Sequence, residues 1–139
     1  MKFSSKVRYG TRALLELALR WGEGPVPLKD IARRQQIPLP YLEHLICPLV
    51  QAGLIKSARG TRGGVTLLKP PGEIILSEVI DLLEGPGNAA EYGDRALECH
   101  DYSAAYDVWD EVTEQVNRVF ESITLQSLVE RQQLKSRVG

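Results

Sequence analysis

The chain contains 139 residues, of which 43% are hydrophobic and 25% charged, and its formal net charge is −1. This length suits one domain, or one domain with an appended helix, and argues against a two-domain enzyme. The composition is that of a folded globular protein. No apolar run is long enough for a membrane span or a signal peptide, so we expect a soluble cytoplasmic protein with no membrane partner.

The charge is divided unevenly along the chain. From Met1 to Pro70 there are 12 Lys and Arg against 4 Asp and Glu, whereas from Pro71 to Gly139 there are 5 against 14. A positive half of this kind indicates a surface that meets a polyanion, although two differently charged solvent faces would give the same count. The order of the predicted elements favours the polyanion.

Apolar periodicity predicts an amphipathic helix over residues 5–21. Leu14 and Trp21 are seven residues apart and belong to one stripe, which we expect to be buried. A short helix is expected over residues 27–35. Pro38 separates it from the next helix by a turn of three or four residues, because the residue before a proline avoids helical geometry.

The third predicted helix covers residues 39–53, with a proline tolerated in its first turn. Pro48 lies inside this helix and lacks a backbone donor, so we expect a kink or an early change of direction after His44. Residues 54–58 and 65–68 then predict two short strands around a glycine-rich tip. Together these strands make a β-hairpin.

The second half contains one long predicted helix between less regular segments. A short helix starts at Ser77, and residues 86–102 are acidic, lack periodicity and predict a flexible loop. A helix of nearly six turns follows over residues 103–122. Thr124 caps a final short helix, and we expect the tail from Gln132 onward to fray. The long helix has an apolar stripe that we assign to dimerisation: Val108, Trp109, Val112, Val116, Val119, Phe120 and Ile123.

Two short helices joined by a tight turn, preceded by a supporting helix and followed by a hairpin, give the element order of a winged helix-turn-helix. The second short helix of that architecture enters the major groove with polar side chains near its N-terminus. Glu43 can accept a hydrogen bond from a cytosine amino group, and the Tyr41 hydroxyl can reach a phosphate. The candidates at this exposed end are Leu39, Tyr41, Glu43 and His44.

The hairpin tip, called the wing, carries Arg59 and Arg62 among glycines that include Gly60. A tip with few side chains allows close backbone approach, and arginines suit the negative potential of a narrow minor groove. The glycines do not form a nucleotide cradle, because no G-x-x-x-x-G-K-[ST] motif is present. The competing assignments are packing of Tyr41 against the first helix, a plain surface carboxylate at Glu43, and solvated charges at the two arginines.

Several segments are specific enough to compare with known families. They are Ser4-Ser5-Lys6-Val7-Arg8-Tyr9-Gly10, Gly24-Pro25-Val26-Pro27-Leu28-Lys29-Asp30-Ile31-Ala32, Tyr41-Leu42-Glu43, Ala52-Gly53-Leu54-Ile55 and Arg59-Gly60-Thr61-Arg62-Gly63-Gly64. Together they resemble the Rrf-two (Rrf2) family of bacterial transcription regulators, of the IscR and CymR type. The likeness runs over about residues 1–85, with a weaker echo near Trp109 and Ile123.

The resemblance implies homodimers that bind pseudo-palindromic operators in double-stranded DNA. The Tyr41-Leu42-Glu43 region would lie in the major groove and the wing in the minor groove. Lys6, Arg8 and Tyr9 in the first helix are assigned to the same DNA-binding surface. Pro40 departs from the family, which often has a serine there, so a contact made by that hydroxyl is missing in this chain.

Iron–sulfur members of the family carry three cysteines and usually a histidine before the dimer helix, whereas this chain has Cys99 and His100 there. A [2Fe–2S] cluster needs four ligands, so we expect no cofactor, no metal site and no cluster of the IscR kind. Cys99 and His100 are a candidate sensor, through thiol oxidation or as ligands shared between subunits. Cys47 is expected to pack in the core. A regulatory protein partner in place of a cofactor is compatible with the missing cysteines.

The sequence therefore predicts a mainly α fold with a small β-hairpin wing and a long C-terminal dimerisation helix. The winged helix-turn-helix DNA-binding domain occupies residues 1–85, the flexible acidic loop 86–102, and the dimerisation helix and tail 103–139. We expect a homodimeric, sequence-specific transcription regulator, since no constellation of residues indicates an enzyme. The alternative is a winged-helix protein-interaction module whose basic half binds an acidic protein partner.

Overall fold

The computed structural model describes residues 4–84 and 103–138, which form six α-helices and one antiparallel β-hairpin. In chain order the elements are α1 (Ser5–Leu19), α2 (Leu28–Gln35), α3 (Leu39–Gln51), β1 (Ile55–Ala58), β2 (Gly64–Leu67), a 3-10 turn (Pro71–Glu73), α4 (Leu76–Glu84), α5 (Ala104–Ser122) and α6 (Leu125–Val138). This is the mainly α architecture with a small hairpin that the sequence predicts.

Helix α1 is the element on which the others pack. Ser4 caps its N-terminus, because Ser4 Oγ accepts a hydrogen bond from the Val7 backbone N–H at 3.3 Å. The body of the helix contacts α2, α3, α4, α6 and β2. The resulting core draws on nearly every element; its largest fully buried side chains are Leu14, Ile31, Leu42, Leu45, Leu49, Ile55, Ile74, Leu125, Val65 and Val79.

The hairpin is attached to the core through one face. Ile55 pairs with Leu67 across the two strands, and both side chains are buried, whereas Lys56 is exposed. Val26, in the link between α1 and α2, forms an additional antiparallel bridge to Val65. The wing is therefore fixed to the helical body at its base.

Helix α5 differs from the other helices because none of its residues is buried. Its C-terminal end is nevertheless attached to the body. The Ile123 carbonyl accepts a hydrogen bond from the Leu76 N–H at 2.8 Å, and the Leu125 N–H donates to the Ile74 carbonyl at 3.0 Å. Along the rest of α5, the apolar stripe is exposed except at Val116, which is half-buried.

Helix α6 begins at the predicted cap. Thr124 Oγ1 accepts from the Ser127 N–H at 3.1 Å, and Ser127 Oγ accepts from the Thr124 N–H at 3.0 Å. Two donors at the start of the helix are thereby satisfied. The prediction of a fraying tail from Gln132 is wrong, since the helix continues to Val138. The residues over this stretch are mainly Gln, Leu, Lys and Arg, which favour helix.

One expectation for the first half is also wrong. Helix α1 ends at Leu19, and Trp21 is 43% exposed rather than part of the buried stripe. Once the chain leaves the helix, the seven-residue spacing no longer places a side chain on the same face. Helix α3 runs through Pro48 to Gln51, and the Ala52 N–H donates to the Pro48 carbonyl at 3.0 Å. The kink expected after His44 stays a prediction.

The predicted loop over residues 86–102 lies outside the described residues, and so do Cys99 and His100. None of the helices in ranges 4–84 and 103–138 is both long and apolar enough to cross a membrane.

Candidate nucleic-acid interface

Helices α2 and α3 form a helix-turn-helix whose turn comprises residues 36–38. Gln36 adopts the left-handed conformation, with φ of 54°, and ends α2. The Ile37 N–H then donates to the Ala32 carbonyl at 2.9 Å, and the Ile37 side chain is buried. Pro38 follows and precedes the first turn of α3. This short, hydrogen-bonded turn sets the direction of α3 relative to α2.

The outer face of α3 carries side chains of mixed chemistry. Pro40, Glu43, His44 and Cys47 are exposed and recur at intervals of three and four residues, which places them on one side of the helix. The opposite side packs against the domain through Leu42, Leu45, Ile46 and Leu49. The first two turns of α3 therefore present Glu43 and His44 to the surroundings.

Cys47 is exposed, so the prediction that it packs in the core is wrong. Cys47 lies four residues after Glu43 and three after His44, which is the spacing of one helix face. Its neighbour Ile46 belongs to the buried face, about 100° away around the helix. The helical spacing from Glu43 was the signal in the sequence that identifies Cys47 as an outward-facing residue.

Tyr41 and Leu39 are half-buried and pack against the core, unlike the other residues expected at the exposed end. The Tyr41 ring lies edge-on to Tyr9 of α1, with 5.7 Å between the ring centroids. The Tyr41 hydroxyl lies 3.1 Å from Ser5 Oγ. The structure thus shows the packing role of Tyr41 against α1; contact with a phosphate stays a prediction.

The wing tip is a tight turn that holds two arginines outward. The Gly63 N–H donates to the Gly60 carbonyl at 2.9 Å. A Cβ atom at Gly63 would lie 2.4 Å from the Ala58 carbonyl oxygen, so a larger residue would force the turn apart. Arg59 directly precedes this turn and Arg62 lies within it, and both are exposed.

The basic residues of the first half differ in how far they are neutralised. Arg33 lies 3.7 Å from Asp30, and Arg20 and Arg34 each lie 3.7 Å from Glu16. Over the described ranges, neither wing arginine forms an ion pair. Several exposed cations were not singled out from the sequence, although the charge excess of residues 1–70 pointed to them: Arg12, Lys29, Arg33, Arg34 and Lys56.

Residues 3–131 match the Rrf2 family model, which is described as an iron-dependent transcriptional regulator. The chain belongs to the Rrf2 family. It is similar to the HTH-type transcriptional regulator CymR of Bacillus subtilis, with 41% identity over 128 residues that cover 92% of this chain and 89% of CymR. It is also similar to the HTH-type transcriptional regulator IscR of Xenorhabdus nematophila, with 37% identity over 135 residues that cover 96% of this chain and 82% of IscR.

Solved structures of Rrf2 proteins have the same fold. T. potens IscR superposes with a TM-score of 0.80 at 39% identity, covering 95% of this chain and 88% of that one. CymR (YrzC), the global cysteine regulator of B. subtilis, gives a TM-score of 0.81 at 35% identity, covering 94% and 98%. The predicted winged helix-turn-helix is confirmed. Like its relatives, the protein is a DNA-binding transcription regulator and not an enzyme.

The predicted dimerisation stripe of this Rrf2 protein lies on α5 and is largely accessible. Val108, Trp109 and Val119 are 53%, 69% and 55% exposed. Phe120 and Ile123 are half-buried, because they lie at the end of α5 that packs against the body. The stripe therefore changes from exposed to partly covered along the helix.

A groove of about 450 Å³ opens where α5 meets α1 and α4. Phe120 is the α5 residue in this groove, so the groove continues the stripe. Two cations, Arg8 and Arg12, lie among otherwise mainly apolar groups. The complete lining is Val7, Arg8, Tyr9, Thr11, Arg12, Leu76, Ile80 and Phe120.

The family description names iron. Among residues 4–84 and 103–138, no group of three His, Cys, Asp or Glu side chains is placed to bind a metal ion. The full sequence has two cysteines, Cys47 and Cys99, and Cys47 is on the outer face of α3. Thiolates of one chain therefore do not supply the four ligands of a [2Fe–2S] cluster. The expected absence of a cofactor, the sensor role of Cys99 and His100, and a regulatory protein partner stay predictions.

Proposed function

We propose that this Rrf2 regulator binds pseudo-palindromic operators in double-stranded DNA as a homodimer, with α3 in the major groove and the wing in the minor groove. One observation carries the proposal: the exposed polar face of α3 is followed directly by a hairpin whose two tip arginines have no ion pair in the described part of the chain. This combination fits one duplex contacted by both elements.

In this proposal Glu43 and His44 read base edges. Both side chains are exposed in the first two turns of α3, the part of a recognition helix that reaches the groove floor. A glutamate can accept from the amino group of cytosine, and a carboxylate on a positively charged face repels phosphates unless it meets such a donor. Leu39 and Tyr41 are half-buried, so their contribution is to support α3 and to lie near the backbone.

The cationic residues hold the phosphate backbone in this proposal. Arg59, Gly60 and Arg62 lie at the exposed wing tip, where side chains and backbone amides can approach the minor groove. Lys6 and Arg8 are exposed on α1. Tyr9, assigned to the same surface, acts through its packing on Tyr41. Such contacts fix the position of the protein on DNA but carry no sequence information.

The homodimer forms through α5. Burial of apolar surface contributes about 25 cal/mol per Å², and the α5 stripe has none of its residues buried in the single chain. A two-fold dimer buries the same patch on both copies, so the stripe of one chain packs against the stripe of the other. Recognition helices about 34 Å apart then meet successive major grooves.

The test is selection of bound duplexes from a random DNA library, followed by titration of selected and random duplexes at several salt concentrations. We expect an inverted repeat with half-site centres about 10 base pairs apart. Binding to it should exceed binding to random DNA by about 4 to 10 kcal/mol, and the logarithm of affinity should fall linearly with the logarithm of salt. Sedimentation of the complex should give two chains per duplex.

Failure to enrich any sequence would contradict the proposal. Salt-sensitive binding to every duplex with equal affinity would instead favour the protein-interaction module, in which the basic half meets an acidic protein.

A further inference from the structure

Glu16 is a buried charged side chain, 9% exposed, at the contact between α1 and α2. Its Oε1 atom accepts a hydrogen bond from Gln35 Nε2 at 3.0 Å. Its Oε2 atom lies 3.7 Å from both Arg20 Nε and Arg34 Nη1. One hydrogen-bond donor and two guanidinium groups therefore converge on this carboxylate, so its buried charge is compensated.

Gln35 is held from a second side by Arg12. Gln35 is the last residue of α2 and directly precedes the turn to α3. Arg12 Nη2 donates to the Gln35 backbone carbonyl, and Arg12 Nε donates to Gln35 Oε1 at 3.3 Å. The last carbonyls of a helix lack partners within the helix, and a cation there is favoured by the helix dipole. Arg12 and Glu16 therefore fix the end of α2 to α1.

The same arginine is linked to the start of α3. The Arg12 guanidinium carbon lies 5.3 Å from the centroid of the Tyr9 ring, and Tyr9 packs edge-on against Tyr41. Tyr41 is in the first turn of α3, and its hydroxyl lies 3.1 Å from Ser5 Oγ. One surface of α1 thus holds both ends of the turn between α2 and α3.

We propose that Arg12 is a positioning residue for operator recognition, which together with Gln35 and Glu16 sets the orientation of α3 and does not itself contact DNA. The inference rests on the proposed function, because it concerns how α3 is presented to an operator. Two guanidinium nitrogens of Arg12 donate hydrogen bonds to Gln35, and the guanidinium group also lies against the Tyr9 ring. These contacts use Nε and Nη2, and the salt slope measured below tests for a phosphate contact through Nη1.

This assignment separates Arg12 from Arg62, although both are exposed arginines of the basic half. A phosphate contact acts on every sequence, and its loss flattens the salt dependence. A positioning residue changes how well α3 fits the bases, so its loss acts on the operator and leaves random DNA unaffected. The two roles therefore differ in the ratio of specific to random affinity and in the salt slope.

The experiment compares R12Q, R62Q and R137Q in the full-length protein, with operator and random duplexes titrated over a range of salt concentrations. R12Q should lower operator affinity about tenfold, the effect of losing one hydrogen bond to a charged group, with random-DNA affinity and salt slope unchanged. R62Q should weaken both duplexes and flatten the slope by about one. R137Q removes the same charge from the last turn of α6 and should alter neither the DNA affinities nor the salt slope.

Retained binding to random DNA shows that R12Q is folded. Q35L, which removes the side-chain partner shared by Arg12 and Glu16, should give the same selective loss, and R12Q/Q35L should lose no more than either single variant. The inference is overturned if R12Q flattens the salt slope or weakens both duplexes equally. It is also overturned if operator affinity is unchanged. A wild-type protein with no preferred sequence would instead contradict the proposed function.

Discussion

Val26 and Val65 exchange two backbone hydrogen bonds, each 2.9 Å long, between the α1–α2 link and strand β2. Both side chains are buried, at 4% and 1% exposure. Paired backbone bonds in a buried setting are costly to break, because each opened group loses its partner without gaining water. The base of the wing is therefore fixed beside the helix-turn-helix. A fixed position is needed if both elements are to contact the same DNA duplex.

Gly64 makes this close approach possible, so Gly64→Ala should destabilise the protein. A Cβ atom there would lie 2.4 Å from the carbonyl carbon and oxygen of Val26, and these backbone atoms cannot move without breaking the bridge. Overpacking of this kind costs about 1–3 kcal/mol. The measurement is the free energy of unfolding by urea titration. Gly72→Ala is the matched control, since its Cβ would meet only Gln126 Cβ at 3.9 Å. Equal stability of the two variants would contradict the argument.

Glu43→Ala should relax the preference for one base pair in each half-site. The exposed carboxylate has no ion pair in the described residues, so its removal leaves the fold intact. We expect loss of about 1–3 kcal/mol of discrimination at that base pair and little change on random DNA. The check is repeated selection from the random library, followed by titration of single-base variants of the operator.

Glu23→Ala removes the same charge from an exposed position in the α1–α2 link and is the control for Glu43→Ala. Neither residue contacts a phosphate in this proposal, so both variants should bind random DNA as the wild type does. Only Glu43→Ala should alter the selected sequence. An unchanged sequence preference would remove Glu43 from the base-reading face.

The element order and the inner faces of the helices were predictable because they follow from apolar periodicity. The exposure of Cys47 was not predicted, because cysteine has no strong preference for the buried or the exposed face of a helix. The nearby residues Ile46 and Leu49 are buried, which favoured a buried position for Cys47 as well. The exposure of Trp21 depended on where α1 ends. That point is set by the cap at Arg20 rather than by the apolar stripe.

The contacts of Glu16 with residues of α2 had no signal in the sequence. Glu16 and Arg20 are four residues apart and pair along α1, but Gln35 and Arg34 come from α2 and meet Glu16 only after the two helices pack. A glutamate within an amphipathic helix is ordinarily assigned to the solvent face. Contacts between residues 19 positions apart depend on tertiary structure, which local spacing does not contain.

Alkylation of Cys47 should block operator binding, because the thiol is exposed on the face of α3 that carries Glu43 and His44. The test uses a Cys99→Ser background, so that a maleimide reacts at one site. We expect the modified protein to lose operator binding, and bound operator to slow the reaction. Cys47→Ser/Cys99→Ser should bind DNA and be insensitive to the reagent. A modified protein that keeps full operator affinity would place Cys47 outside the interface.

Val112→Asp should convert the proposed homodimer to monomers. Val112 is 39% exposed in the middle of the α5 stripe, and a carboxylate there would be buried without a partner when two copies pair. Sedimentation should show a single chain, and operator binding should fall toward that of one half-site, since the two recognition helices are no longer linked. Val138→Asp introduces the same charge at a position that is 90% exposed at the end of α6 and should leave the dimer intact. A dimeric Val112→Asp protein would show that the chains associate through another surface.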